Sequence, residues 1–304
     1  MSINPVVPEN VELTTLLNEL RKLSWASADV LMAYARGEDP PYGFPKTLTV
    51  EEGGDGPVSA ADMAVNELLI SGLKDKLTFK EWDILSEETT KEKSFQQNQY
   101  KKDWCWIIDP LDGTKDFLQG SGNYAVHIAL AYKQKPKIGI ILIPEKNELW
   151  FGVVGHGAWF ENRDGSKNHF AFSERIDISK LVLVSSKSHQ QQMLENLLSA
   201  LSFAEIKKIG SVGCKVASIL RGESDVYISL SGNSSPKDWD MAAPHAIIEA
   251  AGGKFSHADG ANLIYQKTNY YQSGCLIASH GKNHEKICQK AMQFFTSEEP
   301  GYKV

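Results

Sequence analysis

The sequence predicts a two-lobed chain, α+β in its first half and α/β in its second, with the boundary between residues 1–165 and 166–304. Three observations predict it. The 304 residues are enough for about two packed units. Residues 125–161 hold a series of apolar runs separated by turn residues, the pattern of an antiparallel sheet. From residue 181 to 230, strand-type and helix-type segments alternate, as they do where helices cover a sheet.

The elements follow in order. Leu13, Leu16, Leu17, Leu20, Leu23, Val30, Leu31 and Tyr34 recur at helical spacing, so residues 11–36 form an amphipathic helix that Gly37 and Pro40-Pro41 end. Residues 37–56 carry five glycines, three prolines and the acids Glu51, Glu52 and Asp55, and are expected to be a loop. Ser59 reads as an N-cap with Asp62 three residues on, which puts Asp62 near the positive end of a helix carrying Met63, Val65, Leu68, Leu69 and Leu73. Residues 82–86 and 104–108 are short apolar strands that each run directly into acids.

Strands are expected at 125–132, 137–143, 148–154 and 157–161, with Gly152, Gly155 and Gly157 as turn glycines. In the second lobe the order is strand 181–185, helix 190–201, strand 204–209, helix 212–220 and strand 226–230. A helix over 242–251 is stopped by Gly252-Gly253, and strands at 254–256 and 275–278 precede a last helix at 282–295.

Composition narrows the function classes. With 42% hydrophobic and 23% charged residues, the chain is neither disordered nor fibrous. A net charge of −6 offers no broad basic face for nucleic acid or an anionic membrane. Cys105, Cys214, Cys275 and Cys288 are far apart, which fits free thiols rather than a zinc site or a disulfide framework. No leader-like segment or membrane span is evident, so the cytoplasm is the expected location. The sequon-like Asn233-Ser234-Ser235 is then a chance match.

The chemistry concentrates at Asp109-Pro110-Leu111-Asp112-Gly113-Thr114-Lys115-Asp116-Phe117, directly after a strand. Two carboxylates three residues apart, with a proline fixing the backbone between them, can converge where a strand turns into a helix. Hard divalent cations take oxygen ligands of this kind, and backbone N–H groups at Gly113 and Thr114 suit an anion. Glu87-Glu88 is a second acidic pair at a strand end, and Asp240 sits near the start of an Ala-rich helix. Alone, Glu87-Glu88 reads as a solvated turn, and Asp240 reads equally well as an N-cap. Together, three acid clusters at three element ends suggest a multi-metal hydrolytic centre. No G-x-x-x-x-G-K-[ST], H-E-x-x-H, G-x-S-x-G or EF-hand loop is present.

Residues 109–117 resemble the D-P-[IL]-D-G-T-x-x-F signature of the inositol monophosphatase superfamily. Trp239–Gly253 resembles its W-D-x-A…E-A-G-G signature with one extra Ala, Pro57–Asp62 its P-V-T-x-A-D segment, and Leu85–Glu88 its [GS]-E-E segment. The resemblance implies a layered αβαβα sandwich. It also implies two or three Mg²⁺ ions held by Glu87, Asp109, the Leu111 carbonyl, Asp112 and Asp240. Catalytic roles fall to Asp62, Glu87 and Thr114, with Thr114 and Asp62 orienting a water that displaces a phosphate in line. Gly113 and Thr114 then meet the substrate.

Within the superfamily, Lys115 after D-G-T is similar to the 3′(2′),5′-bisphosphate nucleotidase branch, and position 116 is Asp where the inositol branch more often shows Asn. Gly210-Ser211-Val212-Gly213-Cys214-Lys215 resembles that branch's G-S-x-x-x-K segment, in which Ser211 and Lys215 would reach a second phosphate. Ser186-Lys187-Ser188-His189 resembles its S-x-S-H stretch, with His189 beside the nucleotide. Asn233 stands where an inositol phosphatase keeps an acid.

Two positions depart from the nucleotidase pattern. Ser229 replaces a common Arg, leaving the 5′-phosphate to another cation such as Lys237, and the loop ahead of Pro57 lacks the usual Lys. The implied activity is removal of the 3′-phosphate of 3′-phosphoadenosine 5′-phosphate (PAP), giving AMP, and of the sulfated analogue PAPS, giving APS. Alternatives are an inositol or sugar-bisphosphate phosphatase on the same metals, or a PAP-binding protein without turnover. The partner is a phosphorylated small molecule, with no nucleic acid and no membrane, and the protein a monomer or homodimer.

Overall fold

The computed structural model describes residues 6–53, 56–76, 82–92, 102–187, 192–231, 235–266 and 269–302. Helix α1 spans Leu13–Arg36, capped by the Glu12 carboxylate at one end and by Gly37 in the left-handed region (φ 68°) at the other. Strands β1 (Val50–Gly53) and β2 (Gly56–Ser59) then pair antiparallel, so the stretch expected to be a loop contains a hairpin. Gly- and Pro-rich composition concealed it. Helix α2 (Ala60–Lys76) follows without a break.

Seven strands form one sheet: β3 (Trp82–Ser86), β4 (Trp104–Asp112), β5 (Ala125–Tyr132), β6 (Lys135–Ile143), β7 (Glu148–Val153), β8 (Gly157–Asn162) and β9 (Lys167–Asn168). They lie in sequence order, with β3–β4 parallel and the rest antiparallel. Short helices α3 (Glu87–Glu92) and α4 (Thr114–Leu118) leave the ends of β3 and β4. The second sheet has the order β11-β10-β12-β14-β13. Its strands are β10 (Val182–Ser185), β11 (Glu205–Lys208), β12 (Val226–Leu230), β13 (Lys254–His257) and β14 (Cys275–Ser279). The helices of this half are α5 (Gln192–Leu201), α6 (Val212–Leu220), α7 (Asp238–Ala250) and α8 (His284–Glu298).

Three apolar clusters separate five layers. The first joins α1 and α2 to one face of the large sheet through Trp106, Ile128, Ile140 and Phe151. The next residues along the same strands, Cys105, Ile107, Ala129 and Ile141, face the other way and pack on α6 and α7. Tyr227, Leu276 and Ala278 bring the second sheet onto the far side of those helices, and its outer face packs on α5 and α8. This is the αβαβα sandwich, and because both sheets are covered on both faces their strands read as continuous apolar runs. The middle cluster draws on both halves of the chain.

Helix α7 lies hard against the large sheet. A Cβ on Gly139 would sit 2.4 Å from the Ala243 carbonyl oxygen, and one on Gly152 2.4 Å from Ile247 Cα. Gly152 is therefore not the turn glycine the sequence suggested but a packing glycine inside β7. Gly155 and Gly157 do have positive φ, as turns require. The four cysteines are free and buried, and no helix of the described residues is long and apolar enough to cross a membrane.

Candidate active site and metal centre

Two neighbouring strands deliver the first acids. Ser86 pairs with Ile108 in the parallel β3–β4 register, so Glu87 and Asp109 follow at the same level. Strand β4 does not end at Ile108 but continues to Asp112, and its pairing with β5 slips, with Asp109 opposite His127 and Asp112 opposite Ala125. Residues three apart on a regular strand face opposite sides; the extra residue of this bulge resets the alternation. Asp240 comes from the first turn of α7, which starts at Asp238 rather than at the expected residue 242. Pro244 thus falls inside the helix, leaving the Asp240 carbonyl without its usual intrahelical donor. One carboxylate oxygen each of Asp109, Asp112 and Asp240 lies within 4.8 Å of the others.

Each acid is held through one oxygen. Asp109 Oδ1 accepts from the Leu111 N–H (3.0 Å) and Asp240 Oδ2 from the Lys237 N–H (2.6 Å). Asp112 Oδ2 accepts from Ser211 Oγ (2.6 Å), Val212 N (2.5 Å) and Gly213 N (3.1 Å). The start of α6 therefore grips a carboxylate of this chain.

Confinement of like charges raises their proton affinity. Burial first, then the charges of Glu87, Asp112 and Asp240, hold the Asp109 carboxyl well above the usual range, and Glu87 shares a side-chain hydrogen bond with it. Burial, then Asp112 and Glu87, push Asp240 up to about 7 against the Lys237 charge. An all-oxygen set of converging, mutually repelling carboxylates fits a hard divalent cation.

Beside this cluster, Thr114 Oγ1 donates to Asp62 Oδ1 at 2.9 Å and lies 3.2 Å from the Leu111 carbonyl oxygen. The other Asp62 oxygen accepts from Ser59 N (2.8 Å), the return arm of the expected capping box, and from Ser59 Oγ (2.5 Å), so the Ser59 hydroxyl bonds Asp62 itself. Burial raises the Asp62 pKa, opposed by these bonds. Gly113, at φ 95°, is where strand turns into helix. A Cβ there would sit 3.0 Å from the Asn123 carbonyl oxygen.

In the second half, Ser211 caps α6 and donates to Asp112, while Lys215 is buried, its Nζ donating to the Ser211 carbonyl (3.1 Å) and lying 5.5 Å from the Tyr227 ring centroid. Burial lowers the Lys215 pKa, opposed by Asp112. His189, Asn233 and Asp55 lie outside the described residues. Glu51 and Glu52 are exposed on β1.

Sequence reasoning missed two contributors. Buried His127 sets its Nε2 3.2 Å from Asp112 Oδ2, without hydrogen-bond alignment, and its Nδ1 3.3 Å from the Trp239 carbonyl oxygen. A lone His in the apolar run 125–132 was the available signal. Lys187 Nζ pairs with Asp116 Oδ1 at 3.0 Å, joining the 109–117 segment to the end of β10.

The sequence pattern of the inositol monophosphatase family matches residues 12–294. The 3′(2′),5′-bisphosphate nucleotidase CysQ of Buchnera aphidicola is 33% identical over 224 residues, 72% of this chain and 78% of that protein. Among solved structures, CysQ from Bacteroides thetaiotaomicron superposes with a TM-score of 0.70 at 25% identity, covering 89% of this chain and 99% of that one. An inositol monophosphatase from Anabaena gives 0.68 at 24% identity, covering 93% and 97%. With the family pattern matched from residue 12 to residue 294 and this identity to a curated relative, the chain belongs to the inositol monophosphatase family.

Proposed function

We propose that this protein is a Mg²⁺-dependent 3′(2′),5′-bisphosphate nucleotidase of the cytoplasm, removing the 3′-phosphate of PAP to leave AMP and treating PAPS likewise. The observation that carries the reading is the convergence of Asp109, Asp112 and Asp240 beside the Thr114–Asp62 pair. Identity to the Buchnera nucleotidase and the Asp at position 116 favour the nucleotidase branch.

Glu87, Asp109, the Leu111 carbonyl, Asp112 and Asp240 would hold two or three Mg²⁺ ions. When bound, such ions supply electrostatic stabilisation of the phosphoryl group and a more acidic water. The chain's own residues do the positioning. Thr114 donates its hydroxyl hydrogen bond to Asp62, which leaves the Thr114 oxygen to accept a hydrogen bond from the attacking water and so to aim it. Gly113 lets the backbone approach the substrate closely. Ser211 and Lys215 would meet the second phosphate and His189 the nucleoside; Lys215 serves there once its amine leaves the Ser211 carbonyl.

The second reading, an inositol or sugar-bisphosphate phosphatase on the same metals, is favoured by the likeness to the Anabaena fold. Parallel measurement of kcat/KM with PAP, inositol 1-phosphate and fructose 1,6-bisphosphate separates the two. A preference for PAP is expected; a preference for inositol 1-phosphate keeps the metal chemistry and removes the nucleotide.

A further inference from the structure

Position 229 holds Ser, so the strand before α7 supplies no cation for a second phosphate. Lys215 is turned inward, and the Lys237 amine lies over the Tyr271 ring, 6.0 Å from its centroid. Lys187 differs from both. Its side chain is 39% exposed, yet its amine is fixed by Asp116 at 3.0 Å.

Asp116 is a crowded carboxylate with only 12% of its side chain exposed. Its Oδ1 also accepts from Ser121 Oγ at 2.5 Å, and its Oδ2 packs so closely on Gly210 that a Cβ there would sit 2.0 Å away. Gly210 precedes Ser211, whose hydroxyl bonds Asp112 of the metal cluster. The lysine amine is thus tied, through Asp116 and Gly210-Ser211, to the acids that would hold the metals.

We propose that Lys187 is a further cation, besides Lys215, that meets the second phosphate of the substrate, and that Asp116 is the positioning residue that holds it there. The inference rests on the bisphosphate reading of the site. An ammonium has three donors; the Asp116 bond uses one and leaves two for phosphate oxygens. A half-exposed lysine otherwise loses side-chain freedom when it binds, and Asp116 takes up that loss before the substrate arrives. Asn at 116 would keep the shape and remove the charge that fixes the amine.

The test compares PAP with 3′-AMP, which carries the scissile phosphate without the second one, in the wild type, Asp116→Asn, Lys187→Met, Lys187→Arg and the double variant Asp116→Asn/Lys187→Met. Lys187→Met is expected to raise KM for PAP about tenfold relative to 3′-AMP, the size of one lost charged hydrogen bond. Asp116→Asn should shift the same ratio in the same direction by a smaller factor, Lys187→Arg should restore much of it, and the double variant should match Lys187→Met. An unchanged PAP to 3′-AMP ratio in folded Lys187→Met overturns the assignment, and additive effects in the double variant overturn the positioning role. A wild type that hydrolyses inositol 1-phosphate but neither nucleotide overturns the bisphosphate reading itself, and the subsite with it.

Discussion

Ser211 and Asp112 are 99 positions apart in the chain, and the Ser211 hydroxyl donates to Asp112 Oδ2 at 2.6 Å. With the N–H groups of Val212 and Gly213 on the same oxygen, Oδ1 is the oxygen that would meet a cation in the proposed metal centre. Removing the Ser211→Asp112 bond should loosen the ligand without unfolding the protein. Ser211→Ala is expected to weaken Mg²⁺ binding about tenfold, with kcat at saturating Mg²⁺ much less affected. Activity titrated against free Mg²⁺ reads this directly; an unchanged Mg²⁺ midpoint would show that the cradle does not orient Asp112.

Gly213 tests the same cradle by crowding. A Cβ there would lie 2.3 Å from His127 Nε2 and 2.9 Å from Ile141 Cγ2, both in a closed interior. Gly213→Ala should cost about 1–3 kcal/mol in denaturant unfolding, as overpacked cores do. It should also weaken the metal more than Ser211→Ala does, because α6 must move away from Asp112.

Thr114 and Asp62 make a prediction about rate rather than binding. Thr114→Val keeps the shape and removes the hydroxyl that bonds Asp62, so kcat should fall about a hundredfold or more. Thr114→Ser should retain most of the rate. Steady-state kinetics on both variants would reject the water-orienting role if Val and Ser behaved alike.

The pH dependence follows from acids whose folded-state pKa is raised. Asp240 moves from 3.8 to about 7, and Asp109 is raised as well, both chiefly by burial. In such a case the folded state binds protons more tightly than the unfolded chain, so stability is greatest at low pH and declines as pH rises through the folded pKa. Metal-free protein should therefore lose thermal stability between about pH 4 and about pH 7, until other groups intervene. Asp240→Asn should flatten that decline and raise the Tm of the metal-free protein above pH 7. Mg²⁺ should restore more stability at high pH than at low, because protons compete with it. Calorimetric scans across pH, with and without chelator, give each sign.

Much of this was legible in the sequence because the relevant residues are neighbours in the chain. Asp109, Asp112, Gly113 and Thr114 sit within six residues at a strand end, and the sequence pattern locates the six longer helices and every strand but β1, β2 and β9. The hairpin β1–β2 was not, since glycine and proline suggest a loop whether or not two extended pieces pair across it. The slip between β4 and β5 was hidden because register belongs to two strands rather than one. The Lys187–Asp116 pair joins positions 71 apart, and packing on α7 rather than turn geometry explains Gly152.

The most direct measurement is product analysis by phosphorus NMR after incubating the protein with PAP and Mg²⁺. A metal-dependent 3′-phosphatase gives 5′-AMP and inorganic phosphate in equal amounts, with neither formed by Asp109→Asn nor in the presence of a chelator. Formation of 3′-AMP, or phosphate release that persists in Asp109→Asn, would contradict that assignment.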